Sequence, residues 1–246
     1  MQLITEMLRF SAFTPVQVDP MRAPIEGLWR SIANSEPEQV IRNGTMKQLI
    51  AEGPHANGRL SVVSALGRID TILSPLPSPV GGQWPSIGNW PMRASVLRLM
   101  EFVKDIPPIT RIAFGATVIS PVEDKIAGYR LIEQGAFDIQ PKIPDEVSDF
   151  LLQFNCPVRS RRGPDGMTIN RLARWGVAQV KLIWMQIGSS PPISREPTTR
   201  EVMAARLELD FNTAAEWTNE IPRNQVTELA AELVELSEQY VEERLR

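Results

Sequence analysis

The segment EVMAARLELDF, Glu201 to Phe211, alternates side chains of two kinds. Met203, Ala205, Leu207, Leu209 and Phe211 fall on one side of an extended chain, and Arg206, Glu208 and Asp210 on the other. A period of two predicts a strand with one face on a core and one polar face, as in an antiparallel sheet. Carboxylates two residues apart on a strand can bind a divalent cation or act as an acid/base pair. The simpler expectation is that they pair with arginines of a neighbouring strand, and Arg174 is available by sequence order. Arg68 and Asp70 in GRIDTIL pose the same choice, and the same expectation applies.

The surroundings extend this pattern. Upstream, DFLLQFNCPVRS and MTINRLARWGVAQVKLIWMQI read as strands, the second apolar on both faces and therefore expected to be central and covered twice. Downstream, PRNQVTELAAELVELSEQYVEERLR carries Val226, Leu229, Leu233, Leu236 and Tyr240 at helical spacing. Its other face holds Glu228, Glu232, Glu235, Glu238 and Glu242, read as a solvated face or as one that docks on a basic partner. A meander closed by a helix predicts an α+β fold: a largely antiparallel sheet with helices packed on one face and a long C-terminal helix. The pattern permits a helix-grip arrangement with a ligand cavity.

The first half fits one α+β domain over residues 1–246. MQLITEMLRFSAF reads as an opening strand. Asp19 and Pro20 announce a helix burying Ile25, Leu28, Trp29 and Ile32. Ser35 to Glu38 (SEPE) has the form of a capping box for a short second helix. TMKQLIAEG and GRLSVVSALGRIDTIL are strands joined by a Gly-Pro-His-Ala-Asn-Gly hairpin turn. Residues 74–91, SPLPSPVGGQWPSIGNWP, form a Pro/Trp-rich loop or arm, with Trp84 and Trp90 as anchors that dock on a partner or on the chain's own fold. A helix capped by Asn89 should bury Val96, Met100 and Val103. PPITRIAFGATVI is a strand, and Ser120, Pro121 and Glu123 signal a helix after it.

One stretch stands out chemically. RSRRGPDGMTINRLARWGV, Arg159 to Val177, places Arg159, Arg161, Arg162, Arg171 and Arg174 within sixteen residues, around a Gly-Pro-Asp-Gly turn. It reads either as a solvated or internally paired hairpin tip, or as a contact surface for phosphate, nucleic acid or an acidic partner. Arginine supplies 21 of the 26 cationic residues, which favours bidentate pairing but also follows from a GC-rich genome.

The sequence also narrows the function classes. The single cysteine, Cys156, allows no internal disulfide and no cysteine-based zinc site. The single histidine, His55, sits in a turn-rich segment and no Gly-x-Ser-x-Gly elbow accompanies it. Gly81 and Gly82 lie in no nucleotide-loop context, so nucleotide binding is not expected; with one cysteine and one histidine, neither cofactor nor metal is expected. A net charge of -3 carries no overall nucleic-acid signature. No apolar run approaches the roughly 20 residues of a membrane span, and the N-terminus does not read as a signal peptide. A cytoplasmic protein is the expectation.

The order RIAFGATVISPVED (Arg111 to Asp124), then ARLELDFNT (Ala205 to Thr213), then a terminal helix resembles a sporadically distributed prokaryotic family of about this length and unknown function. That family's Tyr-Ile-Asn element has no counterpart between Arg111 and Ile119. The resemblance implies a prokaryotic origin and an accessory system, such as defence against phage or mobile elements, and no catalytic residue. The leading expectation is a non-enzymatic interaction or assembly subunit that binds another protein. The alternatives are a small-ligand-binding protein with an apolar cavity, nucleic-acid contact through the arginine hairpin, and an enzyme using the strand carboxylates.

Overall fold

The structure, a computed structural model, describes residues 3–15, 19–76, 84–100, 108–135, 143, 146–147, 149–184 and 198–244. Its strands are β1 (Ile4–Phe13), β2 (Gln39–Asn43), β3 (Gln48–His55), β4 (Gly58–Ala65), β5 (Arg68–Pro75), β6 (Gly88–Asn89), β7 (Arg111–Val122), β8 (Leu151–Asn155), β9 (Val158–Arg159), β10 (Thr168–Trp184) and β11 (Thr198–Thr213). Its helices are α1 (Ile25–Ala33), α2 (Arg93–Met100), α3 (Lys125–Gly135) and α4 (Arg223–Arg244).

The described strands form one sheet in the order β2-β3-β4-β5-β1-β7-β11-β10-β8, with β6 beside β1 and β9 beside β10. Every pairing is antiparallel. The α+β reading therefore holds, including the C-terminal helix.

Alternation along the strands sorts the sheet into two unlike faces. Phe10 lies opposite Phe114 and Phe114 opposite Phe211, so three fully buried rings cross β1, β7 and β11 in a row. Leu8, Ala116 and Leu209 form the next row. α4 lies over this face, with the Tyr240 ring edge-on to Phe211 at 6.1 Å and its hydroxyl accepting from Trp175 Nε1 at 3.3 Å. The predicted stripe Val226, Leu229, Leu233, Leu236 and Tyr240 is buried. α1 covers β3 and β4 through Ile25, Leu28, Trp29 and Ile32, as their spacing predicts. α3 packs over β7, β10 and β11 on the same side.

Several local expectations are corrected. Asp19 caps a single 3-10 turn at Pro20–Arg22, and α1 begins after Pro24 without a side-chain cap. SEPE forms no helix. Asn34 turns left-handed at the end of α1, Glu36 is tied to Arg30 at 2.7 Å, and a residue before proline prefers an extended backbone, so the chain runs on into β2. GRLSVVSALGRIDTIL is two strands, β4 and β5, folded at Gly67, whose φ of 68° suits glycine.

Asn89 lies in β6 rather than capping a helix; α2 buries Val96 and Met100, while Val103 falls outside the described residues. Ser120 and Pro121 remain in β7, opposite Ala205 and Ala204, and Asp124 caps α3 by accepting from the Ala127 N–H at 2.7 Å. β10 is not covered on both faces along its length. Ala173 and Trp175 face the helices, whereas Arg174 on the other face is exposed.

Candidate functional site

The arginine-rich stretch does not stay together. Arg161 and Arg162, in the turn between β9 and β10, meet α4. Glu232 of that helix is 1% exposed and accepts the Ser160 hydroxyl at 2.7 Å. It also accepts the backbone N–H groups of Arg161 and Arg162 at 2.9 and 3.1 Å, with Arg161 Nε 3.6 Å away. Arg162 Nη2 donates to Glu235 at 2.7 Å, and Glu235 and Glu238 also meet Arg93 of α2, at 3.2 and 3.5 Å. The arginine tip and the acidic helix, two separate leads in the sequence, thus face each other. The reading of that glutamate face as solvated fails for Glu232. Burial raises the carboxyl pKa of Glu238 above its ordinary value, opposed by Arg93.

The other three arginines go elsewhere. Arg159 is exposed on β9. Arg171 Nε donates to the Cys156 carbonyl at 2.7 Å. Arg174 points from β10 to the face of the sheet opposite the helices, where Glu208 and Asp210 stand on β11. Of the two tryptophans, Trp84 is buried against Ile119 and Ala204, and Trp90 is partly buried on the main core. Residues 77–83 of the predicted arm lie outside the described residues.

On that outer face, β1, β7, β11 and β10 enclose a depression of about 330 Å³. Its floor includes Gly115, which has no side chain, and Thr117 of β7, which leave room between taller neighbours. A β-bulge between Thr5 and Met7 gives β1 one residue more than β7. Such a bulge re-aims side chains, and Glu6 here reaches Arg206 Nε at 3.0 Å. Arg206 Nη1 also donates to Glu208 at 2.6 Å, and Arg174 meets Glu208 at 3.4 Å while donating twice to Gln153 Oε1 at 2.9 and 3.1 Å. Asp210 accepts from Asn212 at 3.1 Å and lies 3.6 Å from Arg9 Nη2.

Glu208 therefore pairs across to Arg174, as expected, and also along its own strand to Arg206, while Asp210 lies by Arg9 of β1. Arg68 Nε and Asp70 pair along their own strand β5, at 2.7 Å, rather than across to a neighbouring strand.

Chemically the depression is lined by paired charges. Glu208 has one oxygen on Arg206 and the other on Arg174, so it is a poorly placed base. Among the described residues no group of three or more His, Cys, Asp or Glu could hold a metal. His55 ends β3, separated from the depression's first strand by β4 and β5, and Cys156 is exposed between β8 and β9. Sequence reading missed Arg9 and Glu6. Arg9 was signalled by the alternation of Leu8, Phe10 and Ala12 with Met7, Arg9 and Ser11; the bulge that presents Glu6 left no signal. No helix among the described residues is long and apolar enough to cross a membrane.

No protein-family model matches the chain, and no curated protein or solved structure matches it.

Proposed function

We propose that this chain is a non-catalytic interaction subunit that uses the outer face of its sheet to hold a partner protein. One observation carries the reading. The helices cover one side of the sheet, and the other side presents a depression walled by Arg9, Arg174, Arg206, Glu208 and Asp210. Three arginines there stand against three carboxylates, counting Glu6. A matched set of charges offers a polyphosphate backbone no net attraction, whereas it complements a protein surface of mixed charge. A cytoplasmic, prokaryotic accessory system, such as one for antiviral defence, is the setting we favour, in keeping with the family resemblance.

The test is affinity purification of the tagged chain from its native host, with Arg174→Glu and Arg159→Glu run beside the unmodified protein. A stoichiometric protein partner that is lost with Arg174→Glu and kept with Arg159→Glu is the expected result. Nucleic acid in the eluate, lost with Arg159→Glu, would instead favour contact through the arginine hairpin.

A further inference from the structure

We infer that Arg9 is the residue by which the depression anchors a carboxylate of its partner; the inference rests on the interaction reading above. Arg174 and Arg206 are both committed to hydrogen bonds. Arg9 is different. Its Nε–H is sealed from solvent without an acceptor among the described residues. Among the described residues its terminal nitrogens make one ionic contact, to Asp210 at 3.6 Å, too long for a hydrogen bond. The side chain is nonetheless 32% exposed and lines the depression.

Gly115 explains the placement. A Cβ built on it would stand 3.5 Å from Arg9 Nε and 3.6 Å from Nη2, so the guanidinium rests on the bare backbone of β7. A planar guanidinium held in place, its Nε–H sealed and its terminal N–H groups without a hydrogen bond among the described residues, turns its end toward the depression and matches a carboxylate in geometry and charge. Asp210 competes for the same guanidinium and sets the affinity. An incoming carboxylate must use the side of Arg9 away from Asp210, and removing the Asp210 charge strengthens binding.

The probe is sodium acetate, titrated into the full chain against sodium chloride at equal ionic strength. Binding is read from the Nε–Hε resonances of arginine, with Arg9→Lys identifying the signal. A saturable shift of the Arg9 resonance with acetate alone is expected, tightened at least threefold by Asp210→Asn and absent in Arg9→Lys. Equal shifts with acetate and chloride overturn the assignment, as does an Asp210→Asn protein that binds no more tightly. Inorganic phosphate binding more than tenfold tighter than acetate would overturn the carboxylate in favour of a phosphate ligand. Should Arg9→Lys fail to fold, the Asp210→Asn comparison still decides. If acetate fails while Arg174→Glu still loses its protein partner, only the anchoring role of Arg9 falls. If acetate binds at Arg9 and Arg174→Glu keeps its partner, only the interaction reading falls.

Discussion

Ser160 and Glu232 lie 72 positions apart in the chain and 2.7 Å apart in space, the hydroxyl donating to a carboxylate that is 1% exposed. With the Arg161 and Arg162 N–H groups on the same carboxylate, α4 is fastened to the turn that leads into β10. Removing the carboxylate strands the Ser160 hydroxyl and the Arg161 N–H in a half-buried place and leaves the Arg162 N–H only Ser160 Oγ at 3.3 Å, and an unmet buried donor costs about 1–3 kcal/mol. Allowing for partial solvation, Glu232→Ala should lose about 2–4 kcal/mol, or roughly 5–15 °C in Tm for a chain this size. Glu232→Gln, which keeps acceptor oxygen, should lose less. Urea titrations of both variants check this; equal stability of Glu232→Ala and the parent would show that Glu232 does not help to hold α4.

Tyr240 gives an alkaline prediction. Burial raises its pKa above the ordinary tyrosine value, with the Trp175 hydrogen bond and the nearby Arg244 charge opposing the rise. A folded state that holds its proton more tightly than the unfolded one has that contribution in full below the unfolded pKa, about 10. It then loses the contribution as pH rises through the folded value. Stability should therefore decline above about pH 10, less steeply in Tyr240→Phe. Of the two tyrosines in the chain, absorbance near the phenolate band should show Tyr240 titrating above the ordinary range. A Tyr240→Phe protein with an unchanged alkaline limb would refute the linkage.

His55 acts at the other end of the scale. Burial lowers its pKa below the ordinary value, and Arg98 of α2 lowers it further. For a base with a depressed folded pKa, the unfolded chain takes up the proton first. The contribution is present above about pH 6.5, the ordinary histidine value, and is lost as pH falls through the folded pKa. Stability should thus fall below about pH 6.5, and His55→Asn should flatten that part of the curve. With a single histidine in the chain, one ring resonance reports its titration directly. A midpoint at or above the free-histidine value would contradict the burial.

Where periodicity was long and regular, the sequence was enough. β11 and α4 repeat their apolar residues over many turns of the pattern; α4 buries all five residues that the spacing predicts, and β11 buries Ala205, Leu207, Leu209 and Phe211, with Met203 half-buried. Short signals failed when neighbours outbid them. SEPE and Ser120-Pro121-x-Glu123 both have cap chemistry, yet β2 and the end of β7 gain more from the ladders beside them. The arginine-rich stretch was visible as a composition, but its division between α4 and the outer face was not. Arg161 and Arg174 are 13 positions apart on elements whose direction only the sheet order settles. Arg9 was legible by alternation, whereas the bare backbone on which its guanidinium rests belongs to Gly115, more than 100 positions away.

The depression's own ion pairs should matter little to stability and much to recognition. Arg206, Glu6 and Glu208 are 36%, 23% and 35% exposed at the side chain, and pairs that water reaches contribute about 0–1 kcal/mol each. Arg206→Gln should therefore shift the urea midpoint by the equivalent of less than about 1 kcal/mol, and added salt should shrink the difference further. The same substitution removes one of three cations lining the depression and, on the proposed reading, should weaken partner capture at least tenfold. The contrast is what separates a recognition surface from a brace. If Arg206→Gln instead melts the protein several degrees lower while the folded fraction still captures its partner, the Arg206–Glu6–Glu208 cluster ties β1 to β11, and recognition must lie elsewhere on the molecule.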